Sequence, residues 1–263
     1  MTAIQGTALV TGASGGIGQA IARALAARGA EVVLTGRRAD VLEPLAQELR
    51  GRALALDLAR RDAVEQLVEQ AGEVELLVAN AALPGAGLLD DYTVEQVDRA
   101  LDVNLRAPIV LAKLIGAQMA RRGRGHIVFI SSLSGKAASP RGSLYSATKF
   151  GLRGFALSLR EDLKPSGVGV STIFPGFIRD AGMWANSGAR LPSGVGTRSP
   201  EDVAAGVVRA IERNRAEVDV APFMLRIGAA IAGLAPELSA RASHLMGGTR
   251  VADSLAEGHR GNR

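Results

Sequence analysis

Short apolar runs alternate along the chain with longer stretches in which apolar residues recur every three or four positions. The runs TALVTG (7–12), EVVLTG (31–36), RALALD (52–57), ELLVAN (75–80), HIVFIS (126–131), GVSTIF (169–174) and EVDVA (217–221) are predicted strands. Most are apolar at consecutive positions, as strands buried on both faces must be. Between them, residues 16–29, 39–50, 60–71, 93–121, 144–164 and 200–213 carry helical spacing, several opening after a capping residue such as Asp40, Thr93 or Ser199. Strict alternation of strand and helix predicts an α/β fold, a doubly wound parallel sheet of about seven strands with right-handed crossovers and helices on both faces. Ligands of such sheets bind outside the carboxyl ends of the strands.

Two segments break the rhythm. Residues 180–199, DAGMWANSGARLPSGVGTRS, form a Gly- and Ser-rich connection that holds Trp184, the one tryptophan in the chain. A connection that long inside a compact domain reads as a substrate lid. Beyond the last strand, a helical extension is expected over 222–246 and a frayed tail over 247–263, with the whole of 1–263 forming a single domain. The apolar stretch LRIGAAIAGLA (225–235) is too short to span a bilayer, and leaves open a place in the substrate site, in a subunit interface or on a membrane surface.

Composition narrows the chemistry. The absence of cysteine excludes disulfides and thiolate metal sites, and three scattered histidines (His126, His244, His259) suggest no metal centre. The net charge is +5, but the arginines are interspersed with acids and few aromatics, which argues against nucleic-acid binding. The first residues, MTAIQGTALVTG, read as no signal peptide, and no apolar run reaches the roughly 18 residues of a spanning helix, so a cytoplasmic location is expected.

TGASGGIG (11–18) falls between the first strand and the first helix, where a dinucleotide-binding turn belongs. Gly12 permits a tight turn, Gly16 lets backbone approach a pyrophosphate, Gly18 lets helix and strand pack closely, and the helix N-terminus attracts the phosphate charge. A Rossmann-like sheet follows from this context. At the end of the second strand, LTGRRAD places Gly36 where an acid would bind ribose hydroxyls, followed by Arg37 and Arg38. A guanidinium fork matches a phosphate, so NADP(H) is expected in preference to NAD, with Asp40 read as the cap of the next helix.

SLYSATKFG (143–151) puts Tyr145 and Lys149 on one helical face. The chain has only four lysines against 27 arginines, and two tyrosines. A cation about 4–6 Å from a phenol lowers its pKa from near 10, so this pair is expected to act as an acid/base unit. Ser132 closes the strand GHIVFISS, where its hydroxyl can donate to a carbonyl, and Asn104 interrupts the apolar helix ALDVNLRAPIVLAKLI, where its amide requires a partner.

Taken in order, the glycine loop, Asn104, Ser132, Tyr145 and Lys149 make the chain resemble the classical short-chain dehydrogenase/reductase family from about residue 5 to residue 215. LDL (56–58), NAA (80–82) and PG (175–176) add to the resemblance. It implies that Tyr145 is the general acid/base, that Lys149 tunes it and holds the nicotinamide ribose, that Ser132 orients the carbonyl and that Asn104 supports a proton-relay water. It further implies cofactor contacts at Gly12, Ser14, Gly16, Ile17, Gly18, Arg37, Arg38, Asp57, Leu58, Asn80, Pro175, Gly176 and Ile178, with Asp57 against the adenine. One departure is Asp180, which stands where the family usually has a threonine on the nicotinamide carboxamide; it is read either as a charge favouring the oxidised cofactor or as a cap for a following helix.

The implied activity is interconversion of a secondary alcohol and a ketone or aldehyde. Leu133, Phe177, Met183 and Trp184 are the side chains expected to line a moderately apolar substrate pocket, together with Ser132. The resemblance also implies a homodimer or homotetramer through helices 93–121 and 144–164. Two alternatives stand beside this reading: a catalytically silent NADP-binding regulatory or scaffold protein, and a 3-oxoacyl reductase.

Overall fold

The structure is a computed structural model and describes residues 4–188, 191, 195–235, 237 and 248–258. Strands β1 (Thr7–Thr11), β2 (Glu31–Gly36), β3 (Arg52–Ala55), β4 (Leu76–Ala79), β5 (Gly125–Ile130), β6 (Val168–Pro175) and β7 (Glu217–Val220) form, among the described residues, one parallel sheet in the order β3-β2-β1-β4-β5-β6-β7. The order reverses between β1 and β4, which pair at Ala8↔Leu76 through Val10↔Val78. A crevice for a ligand therefore opens at the carboxyl ends of these two strands.

Consecutive strand residues feed opposite faces. On one face Val10, Leu34, Val78, Val128 and Ile173 pack against α1 (Gly16–Ala26), α2 (Ala39–Leu49) and α8 (Pro200–Glu212). On the other, Leu9, Val33, Leu77, Ile127 and Phe129 pack against α3 (Ala63–Ala71), α5 (Ala107–Arg122) and α6 (Ser143–Leu163). Two apolar faces per strand explain why the runs lack polar alternation.

The helix expected over 93–121 is divided. α4 (Val94–Leu101) starts at Thr93, whose hydroxyl accepts from Gln96 N–H in a capping box, and a π-helical turn over Asp102–Arg106 separates it from α5. Ser199 likewise caps α8, through a box with Asp202. Asp40 does not cap α2: that helix starts at Ala39 after an extended Arg38, and Asp40 stands within its first turn, where its charge meets the positive end of the helix.

His126 is buried between β5 and β6 with Nε2 2.8 Å from Ser171 Oγ. Ser171 gives its one hydroxyl proton to the Arg215 carbonyl oxygen at 2.6 Å, so His126 must be the donor to Ser171. Burial, reinforced by the nearby Arg160 charge, lowers the imidazole pKa to about 4. The unfolded chain then binds the extra proton first as pH falls below about 6.5, and stability from this residue is lost between pH 6.5 and 4, up to about 3 kcal/mol. Urea unfolding at pH 7 and pH 4.5 should show a smaller acid loss in His126→Gln than in the parent; equal losses would refute this assignment.

Candidate active site

The glycine loop leaves β1 at Thr11 and enters α1 at Gly16. Gly12 has φ +64°, and a Cβ there would lie 2.8 Å from Ala81 Cα at the exit of β4. A Cβ on Gly18 would run into the Gly12 carbonyl oxygen and stand 2.7 Å from Ala13 Cα. Asn80 ties the loop to β4 by donating from Nδ2 to the carbonyl oxygens of Thr11 (3.0 Å) and Gly12 (3.2 Å). No side chain caps Gly15 and no acid occupies the first turn of α1, so the positive end of that helix is available to an anion. The free helix end and the tight glycine turn suit a pyrophosphate, while Ala181 packs over Gly16, its Cα 3.8 Å from where a Cβ would stand.

At the carboxyl end of β2, Arg37 and Arg38 are exposed, and the Arg38 guanidinium donates to the carbonyl oxygen of Ser14 in the glycine loop. The pair thus borders the cradle at the adenosine end of a dinucleotide path. Asp57 lies beyond, accepting from Ala59 N–H (3.1 Å) and from Arg99 Nη2 (2.9 Å). Burial acts to raise this carboxyl, but the Ala59 N–H, then Arg99 and Arg37, outweigh it and hold the group below the ordinary carboxylate range. Arg99 is a member of the site that the sequence did not disclose; it sits on α4, 42 positions from its partner, with no motif linking them. Leu58 is buried next to Asp57.

Asn104 lies in the π-helical turn and is 1% exposed. Its Oδ1 accepts from Leu83 N–H at 2.6 Å and its Nδ2 donates to the Leu83 carbonyl oxygen at 3.0 Å. The amide thereby satisfies both backbone groups of one residue in the loop after β4, and the wider turn brings it there.

Ser132 follows β5 and opens a 3-10 turn over Leu133–Gly135, with its Oγ accepting from Ser134 N–H at 3.1 Å. Tyr145 and Lys149 extend from the first turns of α6, the ammonium 5.5 Å from the phenol ring centroid. Lys149 is 2% exposed and donates to the Ile130 carbonyl oxygen at 3.0 Å. Burial lowers its pKa to about 8. Burial also pushes the Tyr145 phenol up to about 12, with the hydrogen bond from Ser132 opposing. The expected lowering of the phenol by Lys149 is therefore not found: the ammonium is committed to Ile130, and desolvation of the phenol prevails. At neutral pH the phenol keeps its proton.

Pro175 and Gly176 end β6 and bring the chain to the same crevice, with Ile178 buried behind them. The connection 180–199 is not structureless: α7 (Gly182–Ser187) occupies its first part, and its stems are joined by Arg179 N–H to Arg198 O (2.9 Å) and Arg198 N–H to Phe177 O (2.9 Å). Phe177 and Trp184 meet edge to face, ring centroids 4.6 Å apart. Gly182, which precedes Met183, faces Ile17 of the glycine loop, and a Cβ on Gly176 would stand 3.5 Å from Leu133 Cδ1. Residues 189–190 and 192–194 of this connection lie outside the described residues. Asp180 is not a cap, since α7 opens at Ala181; it has φ +67°, a conformation unusual for a non-glycine residue, and pairs with Arg179 at 3.3 Å.

The expected C-terminal extension contains α9 (Phe223–Leu234), with Phe223, Met224, Ile231 and Leu234 exposed, while 236 and 238–247 lie outside the described residues. The tail expected to fray holds instead α10 (Gly248–Gly258). It packs on α7, buries Ala252 and Ala256, and pairs Asp253 with Arg141. The polar sequence concealed an apolar stripe two alanines wide.

The sequence matches the family model described as short chain dehydrogenase over residues 6–191. The ketoacyl reductase HetN of Nostoc sp. is 35% identical over 230 residues, which are 84% of this chain and 80% of that protein. Among solved structures, a short-chain dehydrogenase from Sphingobium yanoikuyae in complex with NADPH superposes with a TM-score of 0.77 at 27% identity, covering 92% of this chain and 96% of that one. A metagenomic short-chain oxidoreductase in complex with NADP is 34% identical, with a TM-score of 0.65 over 81% of this chain and 95% of its own.

Proposed function

The chain belongs to the short-chain dehydrogenase/reductase family, and from that footing we propose that it is an NADP(H)-dependent oxidoreductase interconverting a secondary alcohol and a ketone or aldehyde. What supports the reading is Tyr145 paired with Lys149 on α6 and hydrogen-bonded by Ser132, together with a glycine cradle bordered by Arg37 and Arg38 on the same sheet. The NADP(H) bound by similar structures agrees with that arginine pair. The chemistry supplied by the nicotinamide, when bound, is a hydride for the carbonyl carbon.

The side chains do the rest. Ser132 donates to the carbonyl oxygen and stabilises charge developing there. Tyr145 gives the phenolic proton to the same oxygen as the carbon–oxygen double bond becomes single, yielding the alcohol. With its pKa raised to about 12 by burial, the phenol holds its proton at neutral pH and so carries the proton that carbonyl reduction consumes. Lys149 presents an ammonium that can reach the nicotinamide ribose, and Asn104 fixes the loop facing it through Leu83. Phe177, Trp184, Leu133 and Met183 supply an apolar wall for the substrate. Val94, Phe150 and Leu157, exposed on α4 and α6, suit assembly into a homodimer or homotetramer.

Oxidation of NADPH, followed against a panel of aliphatic, aromatic and 3-oxoacyl carbonyl compounds, should reveal turnover of at least one class. Tight NADPH binding with no turnover on any of them would sink the enzymatic reading and favour a silent cofactor-binding protein. A 3-oxoacyl substrate is the second reading, favoured by the ketoacyl reductase among the relatives.

A further inference from the structure

Behind the Ser132 turn, three cations converge on two carboxylates. Lys136 Nζ lies 2.7 Å from Asp219 Oδ1 and 3.0 Å from Glu217 Oε2. Arg153 meets the same Glu217 with Nε at 2.6 Å and Nη2 at 3.2 Å, and Arg226 of α9 stands 3.9 Å from Asp219. The Lys136 ammonium also sits 4.1 Å from the centroid of the Phe174 ring. The Lys136, Glu217 and Asp219 side chains are only 14%, 23% and 20% exposed, so charges here are costly unless paired.

What matters is where the two cations on Glu217 come from. Lys136 ends the turn that Ser132 begins: Gly135 N–H donates to Ser132 O at 2.8 Å, and Lys136 N–H to Leu133 O at 2.9 Å. Arg153 is on α6, one helical turn after Lys149 and two after Tyr145. A single carboxylate of β7 thus grips both the turn bearing the serine and the helix bearing the tyrosine. The grip adds to the direct packing of the turn on α6, where a Cβ on Gly135 would stand 2.7 Å from the Lys149 carbonyl oxygen.

We infer that Lys136 is a positioning residue: through Glu217 and Asp219 it holds the Ser132 hydroxyl in register with the Tyr145 phenol. This rests on the reading of Ser132 and Tyr145 proposed above. Two titratable groups face each other at that site, the Lys149 ammonium and the protonated phenol it overlies, and the Ser132 hydrogen bond is the contact that favours ionising the phenol. Displacing Ser132 must therefore make Tyr145 harder to ionise. A merely structural ion pair would leave the phenol unchanged.

Tyr92 and Tyr145 are the two tyrosines, so a full-length Tyr92→Phe protein labelled with 3-fluorotyrosine carries one fluorine probe, at Tyr145. Fluorination makes the phenol more acidic and brings its titration into a range where 19F NMR can follow the folded protein. Ser132→Ala should raise the midpoint by about one pH unit. Lys136→Met should raise it in the same direction and by a similar amount, Lys136→Arg should restore most of the parent value, and the isosteric Glu217→Gln should give an intermediate rise. If Lys136→Met and Glu217→Gln titrate like the parent while Ser132→Ala is shifted, Lys136 does not position Ser132 and the inference is overturned alone. If Ser132→Ala itself fails to shift, the proposed serine–tyrosine contact falls, and the inference with it.

Discussion

Tyr145→Phe should lower carbonyl reduction about a thousandfold while leaving NADPH affinity within about twofold. The ring remains, so the packing of α6 against Gly85, whose Cβ would stand 3.0 Å from Tyr145 Cβ, is preserved. What disappears is the proton given to the carbonyl oxygen. Lys149 does not replace it: its ammonium is buried, donates to the Ile130 carbonyl oxygen and stands 5.5 Å from the phenol ring centroid. Turnover with NADPH and a responsive carbonyl compound measures the loss, and quenching of Trp184 fluorescence on adding NADPH measures binding. A variant retaining a tenth of the parent rate would remove Tyr145 from the acid/base role.

Replacing both Arg37 and Arg38 by Asp should weaken NADPH by about a hundredfold or more and improve NADH. Two guanidinium groups at the end of β2 match a ribose phosphate, whereas a carboxylate repels the phosphate and accepts from ribose hydroxyls. Arg38 holds a second contact, to the Ser14 carbonyl oxygen, so its loss should also loosen the glycine loop. Arg37→Asp alone is therefore the cleaner test of preference, and Arg38→Asp alone should weaken both cofactors. Comparing kcat/KM for the two nicotinamides across the three variants decides this; an unchanged ratio in the double variant would count against arginine recognition of the phosphate.

The sheet was legible because its central strands are buried on two faces and show as apolar runs, and the glycine loop because its spacing answers one geometrical demand. Asn104, Ser132, Tyr145 and Lys149 are proposed from their order and spacing: a polar break in an apolar helix, a serine closing a strand, and a tyrosine and a lysine four apart on one helical face. Features that depend on distant partners were hidden. The π-helical turn at Asp102–Arg106 follows from the pull of Asn104 on Leu83, 21 positions away. The pairing of Arg99 with Asp57 joins α4 to the end of β3, and helical spacing alone merges α4 with α5. Asp40 looked like a cap because residue type was visible and backbone angle was not. At Tyr145 a neighbouring cation is visible in sequence, whereas the burial that raises the phenol is not.

β7 closes one side of the sheet with only four residues, and Glu217 and Asp219 alternate along it with Val218 and Val220. An open strand edge is a template on which another chain can add itself, and short length with inward-turned charges is a known defence against it. A foreign strand docking beside β7 would have to strip water from two carboxylates whose cations are already engaged from Lys136, Arg153 and Arg226. Charge on alternate residues of a four-residue edge strand makes this margin a poor template for a further strand, so neutralising both acids should lower resistance to aggregation as well as disturb the Ser132 turn.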